Sequence, residues 1–361
     1  VTTGHGGEFE LIARIQRRLG PVAGAAPLLR PPLEGEVFSG DDAAVLSSPA
    51  GQLLLAIDLV VDGVHLDLSL GSPSDAGWLA DAGWKAVSVN ASDIAAMGGR
   101  PLHVVAGISA PADMQLDAVA DGMIEACAAY GIALVGGDLT AGERLVISVA
   151  ITGTCDDRAA VLRSGASDGD VIWVTGPLGS SAAGLRLLQG VTMPPPARPP
   201  AAQPPASQPA ANQLPAAQPA VGGEPRRVSL TEAQSRLVDA YRRPVARIAD
   251  GMTAAAAGAT AMIDVSDGLA QDLDHIATQS EVGVRLDTIP VAEGASPEEA
   301  FGGGEDYELV FTAAQDAPVL ETFAAASLRP PVRIGICTAK TEERSLGGRQ
   351  FEIRGWEHPF T

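Results

Sequence analysis

Residues 193–225 read MPPPARPPAAQPPASQPAANQLPAAQPAVGGEP and hold 11 of the chain's 27 prolines, with almost no large apolar side chain. Proline fixes φ and donates no N–H, so no core helix or strand can run through such a stretch. Its composition cannot bury enough apolar surface to offset the entropy of ordering. The segment is therefore expected to be a disordered, partly polyproline surface spacer. The fold must be built from what lies on either side, and 361 residues suit two domains better than one.

Both sides alternate between strand and helix patterns. Before the spacer, residues 52–58 (QLLLAID) read as a buried strand. Residues 74–98 have helical spacing with Ser74 as a possible cap, and residues 102–110 read as a strand. Residues 113–130 form an amphipathic helix stopped by Gly131, followed by strands at 132–135 and 145–152. The second unit has strands at 170–175, 261–265, 307–313 and 332–337. Its helices fall at 178–188, 231–242, 245–257 and 268–279. This is an α/β pattern in two units with no convincing internal repeat.

The formal charge is −20, from 24 basic and 44 acidic residues. Such a surface repels phosphate backbones and argues against nucleic acid as a partner. An anionic substrate would need bound cations or a local basic site. Cys127, Cys155 and Cys337 are widely spaced and form no CxxC pair, which fits a reducing cytoplasm better than a disulfide framework. The first residues lack the pattern of a signal peptide, and every apolar run is too short for a membrane span. The expectation is a cytoplasmic protein with no membrane partner.

The acids stand at telling places. Asp42 precedes an apolar run, Asp58 ends one, Asp93 lies in NASDIAAMGG and Asp138 in LVGGDLT. Asp264 and Asp267 share IDVSDGL, and Glu305 and Asp306 share GGGEDYE. Active sites of α/β folds form at strand ends. Several carboxylates converging on one cleft repel one another unless cations neutralise them. Oxygen ligands without a His or Cys cluster select Mg²⁺, Mn²⁺ or Ca²⁺. A single Asp at a turn is usually an Asx turn or a helix cap, and Asp41, Asp67, Asp81 and Asp113 are read that way. Ser266 or Asp267 could also cap the helix that follows. Six such caps by coincidence are harder to accept than one shared site for a divalent metal and phosphate.

Gly136-Gly137 before Asp138, and Gly302-Gly303-Gly304 before Glu305, permit tight turns whose N–H groups can cradle phosphate. There is no GxxxxGK[ST] loop, Lys is scarce in the candidate site, and no HRD or DFG set occurs. P-loop and protein-kinase chemistries are thereby excluded.

Taken together the motifs resemble one family. GEFELIARI near the start, GDDAAVL at 40–46, DLVVDGVHL at 58–66 and KAVSVNASDIAAMGGRP at 85–101 are similar to thiamine-monophosphate kinases. So are LVGGDLTAG at 134–142, LRSGASDGDVIWVTGPLGSSAAGL at 162–185, IDVSDGLAQDLDHIA at 263–277 and GGEDYELVFT at 303–312. The resemblance spans nearly the whole chain outside the spacer. It implies the two-domain architecture of the aminoimidazole ribonucleotide synthetase-like superfamily, with ATP in a cleft between the domains. Residues 1–155 would form an N-terminal ATP- and Mg-binding domain whose mixed sheet makes a homodimer interface. Residues 156–361 would form a C-terminal α/β domain interrupted at 193–225. The reaction implied is Mg²⁺-dependent transfer of a phosphoryl group from ATP to thiamine monophosphate.

Carried over by position, Asp42, Asp58, Asp93, Asp138, Asp264 and Asp267 would hold several Mg²⁺ ions. Gly137, Asp138, Arg163 and Ser266 would meet ATP, and His65, Glu305 and Trp356 would meet thiamine monophosphate. The family often has Ser-Thr before the Asp of its second motif. Here Ala56 and Ile57 stand there, so these two would ligate metal only through backbone carbonyls. Without the motif, His65 would read as an ordinary surface histidine and Trp356 equally well as a packing residue. The acceptor phosphate is already anionic, so the implied transfer is direct and in line, with no strong base and no phosphoenzyme. The rivals are a sister enzyme such as aminoimidazole ribonucleotide synthetase and a non-catalytic acidic cation-binding protein.

Overall fold

In the first sheet, strand β1 (Leu53–Val61) pairs antiparallel with β4 (Val146–Thr154). Strand β4 pairs antiparallel with β2 (Arg100–Ala110), and β2 runs parallel to β3 (Ala133–Ala141), giving the order β1-β4-β2-β3. The computed structural model describes residues 46, 51–71, 75–190, 230–353 and 355–356. Residues 7–15 (GEFELIARI), Asp41, Asp42, Ser74 and the 193–225 spacer lie outside the described residues.

Two helices cover one face of this sheet: α1 (Ala76–Ala96) and α2 (Leu116–Tyr130). They pack at backbone distance. A Cβ added at Gly122 would lie 1.7 Å from the Ala80 carbonyl oxygen, and one at Gly83 would lie 2.0 Å from that of Val119. Only glycine allows that approach. Helix α2 ends where expected, at Gly131 in the left-handed region, with φ 69°. Helix α1 is capped by the Asp75 side chain, which accepts from Gly77 N–H. Asp113 sits in the turn before α2, whose N-cap is Gln115 and which has no side-chain cap. Asp67 behaves as read, accepting from Ser69 N–H at the start of a short 3-10 turn.

Asp81 is no cap. It is buried within α1 and ion-paired to Arg242, whose guanidinium lies 4.3 Å from the Trp78 ring centroid. The Gly136-Gly137 pair is no turn either. It lies inside β3, which runs on past Asp138 to Ala141. The parallel ladder to β2 supplies partners for that backbone and overrides the local glycine signal.

The second sheet is mixed and has the order β11-β10-β7-β9-β5-β8-β6. Its strands are β5 (Val171–Val174), β6 (Ala259–Asp264), β7 (Gly283–Leu286), β8 (Leu309–Ala313), β9 (Val332–Thr338), β10 (Arg344–Leu346) and β11 (Arg349–Gln350). The helices here are α3 (Ser180–Leu188), α4 (Glu232–Arg242), α5 (Ile248–Ala256), α6 (Leu269–Gln279), α7 (Pro297–Gly302) and α8 (Val319–Ala325). Helix α4 begins with a full capping box between Thr231 and Gln234.

Helix α1 joins the two halves. One hydrophobic cluster takes in Ala95 and Ala96 of α1, Ala254 of α5, and Leu309 and Phe311 of β8. Apolar contact on both sides explains why α1 is buried on nearly every face. The first sheet's other face is open: Leu53, Leu55, Ile57 and Leu59 of β1 and Val105 of β2 are all exposed.

Candidate active site

Between the two sheets lies a cleft with a cavity of about 420 Å³. Helix α1 contributes Lys85, Val89 and Asp93, spaced i, i+4, i+8 and therefore on one face. Strand β1 and the loop after it contribute Asp58, Val64 and His65. The C-terminal end of β6 and its turn contribute Asp264, Ser266 and Asp267. Arg163, Gly304, Glu305, Tyr241 and Trp356 also line the cavity. Nine of the expected site residues therefore meet in one cavity: Asp58, His65, Asp93, Arg163, Asp264, Ser266, Asp267, Glu305 and Trp356.

The carboxylates are held in place by neighbours that the sequence did not announce. Asn90 Oδ1 accepts from Asp58 N–H at 2.9 Å, while its Nδ2 donates to the Ala86 carbonyl, so α1 fixes β1 at Asp58, inside the strand rather than at its end. Ser92 Oγ donates to Asp264 Oδ2 at 2.6 Å across the junction of the two halves. The β6–α6 turn is closed by Asp272, whose Oδ2 accepts from the N–H groups of Ser266, Asp267 and Gly268 at 3.1, 3.2 and 3.1 Å. Neither Ser266 nor Asp267 caps α6; the N-cap is Gly268, without a side-chain bond. The side chain of Asp272, one turn into the helix, takes over that task.

The loop before β8 packs on this turn. Glu305 N–H donates to the Ser266 carbonyl at 2.7 Å, and a Cβ on Gly304 would lie 2.4 Å from that same oxygen. Asp306 turns away from the cleft and accepts from Gly179 N–H and Ser181 N–H, pinning the start of α3. Trp356 N–H donates to the Asp267 carbonyl at 3.0 Å, and Gln271 Nε2 donates to the Trp356 carbonyl at 3.1 Å. The indole stands half-exposed at the cleft. It is a wall of the cavity and no part of a core.

The electrostatics are those of crowded anions. Removal from water, then the charges of Asp264 and Asp267, pushes the Asp58 pKa up to about 6. Burial, then Asp264 and Asp58, pushes Asp93 up to about 8, with Arg163 opposing. Burial raises Asp264 against the Ser92 hydrogen bond and Arg163. Carboxylates crowded in this way would be relieved by a cation, and an all-oxygen set suits Mg²⁺. The residues present therefore fit the expected metal. Among the described residues the one group of three potential ligands whose ligand atoms lie within 4.8 Å of one another is Asp267, Asp272 and His275, in which Asp272 already serves three backbone donors.

Four expected site residues stand elsewhere. Ala56 and Ile57 do not line the cavity; Ile57 is 61% exposed on the open face of the sheet, opposite in pleat to Asp58. Gly137 and Asp138 are exposed on β3, three strands or about 14 Å from β1. Asp42 lies outside the described residues. Lys85 was missed: a lysine in a helix reads as solvated, yet this one is 1% exposed. Its spacing from Asp93 was the signal available.

Two family models match the chain: AIR synthase related protein, N-terminal domain, over residues 40–155, and AIR synthase related protein, C-terminal domain, over residues 220–347. The chain is 36% identical to the thiamine-monophosphate kinase of Mycobacterium tuberculosis strain H37Rv, over 84% of this chain and 80% of that relative. It is similar to the crystal structure of thiamine-monophosphate kinase from Stenotrophomonas maltophilia K279a. That match has a TM-score of 0.69 and 32% identity, over 92% of this chain and 94% of the other. It is also similar to the structure of AaThiL complexed with AMPPCP and TMP, with a TM-score of 0.67 and 28% identity, over 98% and 97% of the two chains.

Proposed function

The chain belongs to the thiamine-monophosphate kinases within the AIR synthase related proteins, and on that premise we propose that it phosphorylates thiamine monophosphate with ATP to give thiamine diphosphate. The observation that carries this reading is the meeting of Asp58, Asp93, Asp264 and Asp267 from both halves in one cleft with Arg163, Glu305 and Trp356. The relative complexed with AMPPCP and TMP supports the same pair of substrates.

In this reading Asp58, Asp93, Asp264 and Asp267 hold several Mg²⁺ ions, with Asp42 as a further ligand. When bound, Mg²⁺ cancels the repulsion between the two anionic substrates and the charge spread over the transferring phosphoryl group. Arg163 and Ser266 meet the nucleotide. His65, Glu305 and Trp356 hold the acceptor, the indole face attracting the thiazolium. Asn90, Ser92 and Asp272 orient the carboxylates. The acceptor phosphate oxygen attacks in line without a general base.

Gly137 and Asp138 are read as serving the cleft of a second copy. The exposed apolar face of β1 and β2 supports a homodimer, and Asp138 pairs with Gly107 on that same sheet. Residues 1–155 and 156–361 are read as the two domains. No helix of the described residues is long and apolar enough to cross a membrane. Three buried free thiols support a cytoplasmic setting.

A single-turnover experiment with γ-³²P-ATP and Mg²⁺ tests the direct transfer. Label is expected in thiamine diphosphate with none trapped on protein at any quench time. A labelled protein that chases into product would overturn it.

A further inference from the structure

We propose that Lys85 is a positioning residue for the acceptor: from behind the cleft wall it holds Glu305 as a carboxylate facing the cleft, where the cationic and amino-bearing organic part of the substrate docks. The inference rests on the reading of Glu305 as a substrate contact.

The geometry of the pair is asymmetric. Lys85 Nζ lies 2.8 Å from Glu305 Oε1, but the lysine side chain is 1% exposed and the glutamate 23%. The cation is hidden and the anion presented. Oε1 is buried and has no hydrogen-bond partner among the described residues, so the ion pair with Lys85 is what compensates it. The remaining ammonium hydrogens are committed to the His65 carbonyl at 2.7 Å and the Tyr241 carbonyl at 3.2 Å, with the Tyr241 ring centroid 4.5 Å away. One nitrogen thus ties the loop after β1, the end of α4 and the loop before β8. Those are the segments that carry His65, Tyr241 and Glu305 to the cavity.

A buried lysine needs such partners to keep its charge. A carboxylate with its counter-charge behind it stays available to a cation in front. Burial alone drives Glu305 towards its neutral form, and Lys85 opposes that. A neutral acid would attract a thiazolium or an aminopyrimidine far less. Lys85 therefore acts through Glu305 and has no need to touch the reacting phosphates.

The test is steady-state kinetics of Lys85→Met, Glu305→Gln and the double variant, with KM measured separately for ATP and thiamine monophosphate. Losing one charge-assisted contact is expected to raise the KM for thiamine monophosphate about tenfold or more in each single variant. KM for ATP should stay within about twofold, and the double variant should be no worse than either single. Should Lys85→Met not fold, Lys85→Gln removes the charge while keeping an N–H donor for the two carbonyls, and gives the same reading. An unchanged KM for thiamine monophosphate in the lysine variants alone, an equal rise for ATP, or additive losses would overturn the role of Lys85. An unchanged value in Glu305→Gln would instead overturn the substrate placement on which it rests.

Discussion

Ser92 Oγ donates to Asp264 Oδ2 at 2.6 Å, and this one bond joins the central helix of the first half to the last residue of β6 in the second. The cleft exists because the two halves meet along α1, so the bond sets the spacing between Asp93, next to Ser92, and Asp264. Ser92→Ala leaves a fully buried carboxylate without its side-chain donor. A loss of about 2 kcal/mol in unfolding free energy is expected, together with a higher Mg²⁺ concentration for half-maximal activity. Urea denaturation and a Mg²⁺ titration check it.

The turn that presents Asp267 depends on Asp272. Replacing it by Ala strands three backbone N–H groups, and about 2–3 kcal/mol of stability should go with it. Asp272→Asn keeps one amide oxygen as acceptor and should lose less. Denaturant midpoints of the two variants give the order directly.

The acidic cleft should make the metal-free protein less stable as pH rises. Asp58 and Asp93 have folded pKa values raised to about 6 and about 8, above their unfolded values. The folded state then binds more protons than the unfolded state between those limits, so stability falls with rising pH. The contribution of Asp58 is present below about pH 4 and lost by about pH 6; that of Asp93 is lost by about pH 8. Mg²⁺ binds the ionised form, so its stabilisation should grow over the same window. Melting temperatures from pH 5 to 8.5, with and without Mg²⁺, are expected to diverge steadily; parallel curves would contradict the cation site.

The position of Asp138 makes a separate prediction. If it serves the partner's cleft, Asp58→Asn and Asp138→Asn fall in the same site of a mixed dimer and leave the other site intact. After subunit exchange, half the dimers carry one intact site, restoring about a quarter of wild-type activity. If both residues serve one chain's cleft, every cleft of a mixed dimer carries one substitution and mixing the two singly mutated preparations restores nothing.

Much of this arrangement was legible in the chain. The apolar runs located β1, β6 and β8, Asp264 marked the end of β6 and Gly131 the end of α2, because those signals are local; Asp58 was expected to end β1, but pairing with β4 carries the strand on to Val61. The missed elements β7, β10 and β11 are short, and pairing with neighbours far along the chain decides them. Asp81 and Lys85 were hidden for another reason. A charge on a helix reads as solvated, and only tertiary packing of α4 on α1 buries both. Gly136-Gly137 looked like a turn, whereas the parallel partner β2 keeps it extended. Asn90, Ser92 and Asp272 act by holding other groups, and such a role has no signature until its partner is in view.

The most direct test of the account is ADP release from Mg-ATP with and without thiamine monophosphate, with thiamine diphosphate followed by chromatography in wild type and Asp264→Asn. The account predicts ADP and thiamine diphosphate in equal amounts, both requiring thiamine monophosphate and both all but abolished by the substitution. ATP binding with no thiamine diphosphate, or a product rate untouched in Asp264→Asn, would contradict it.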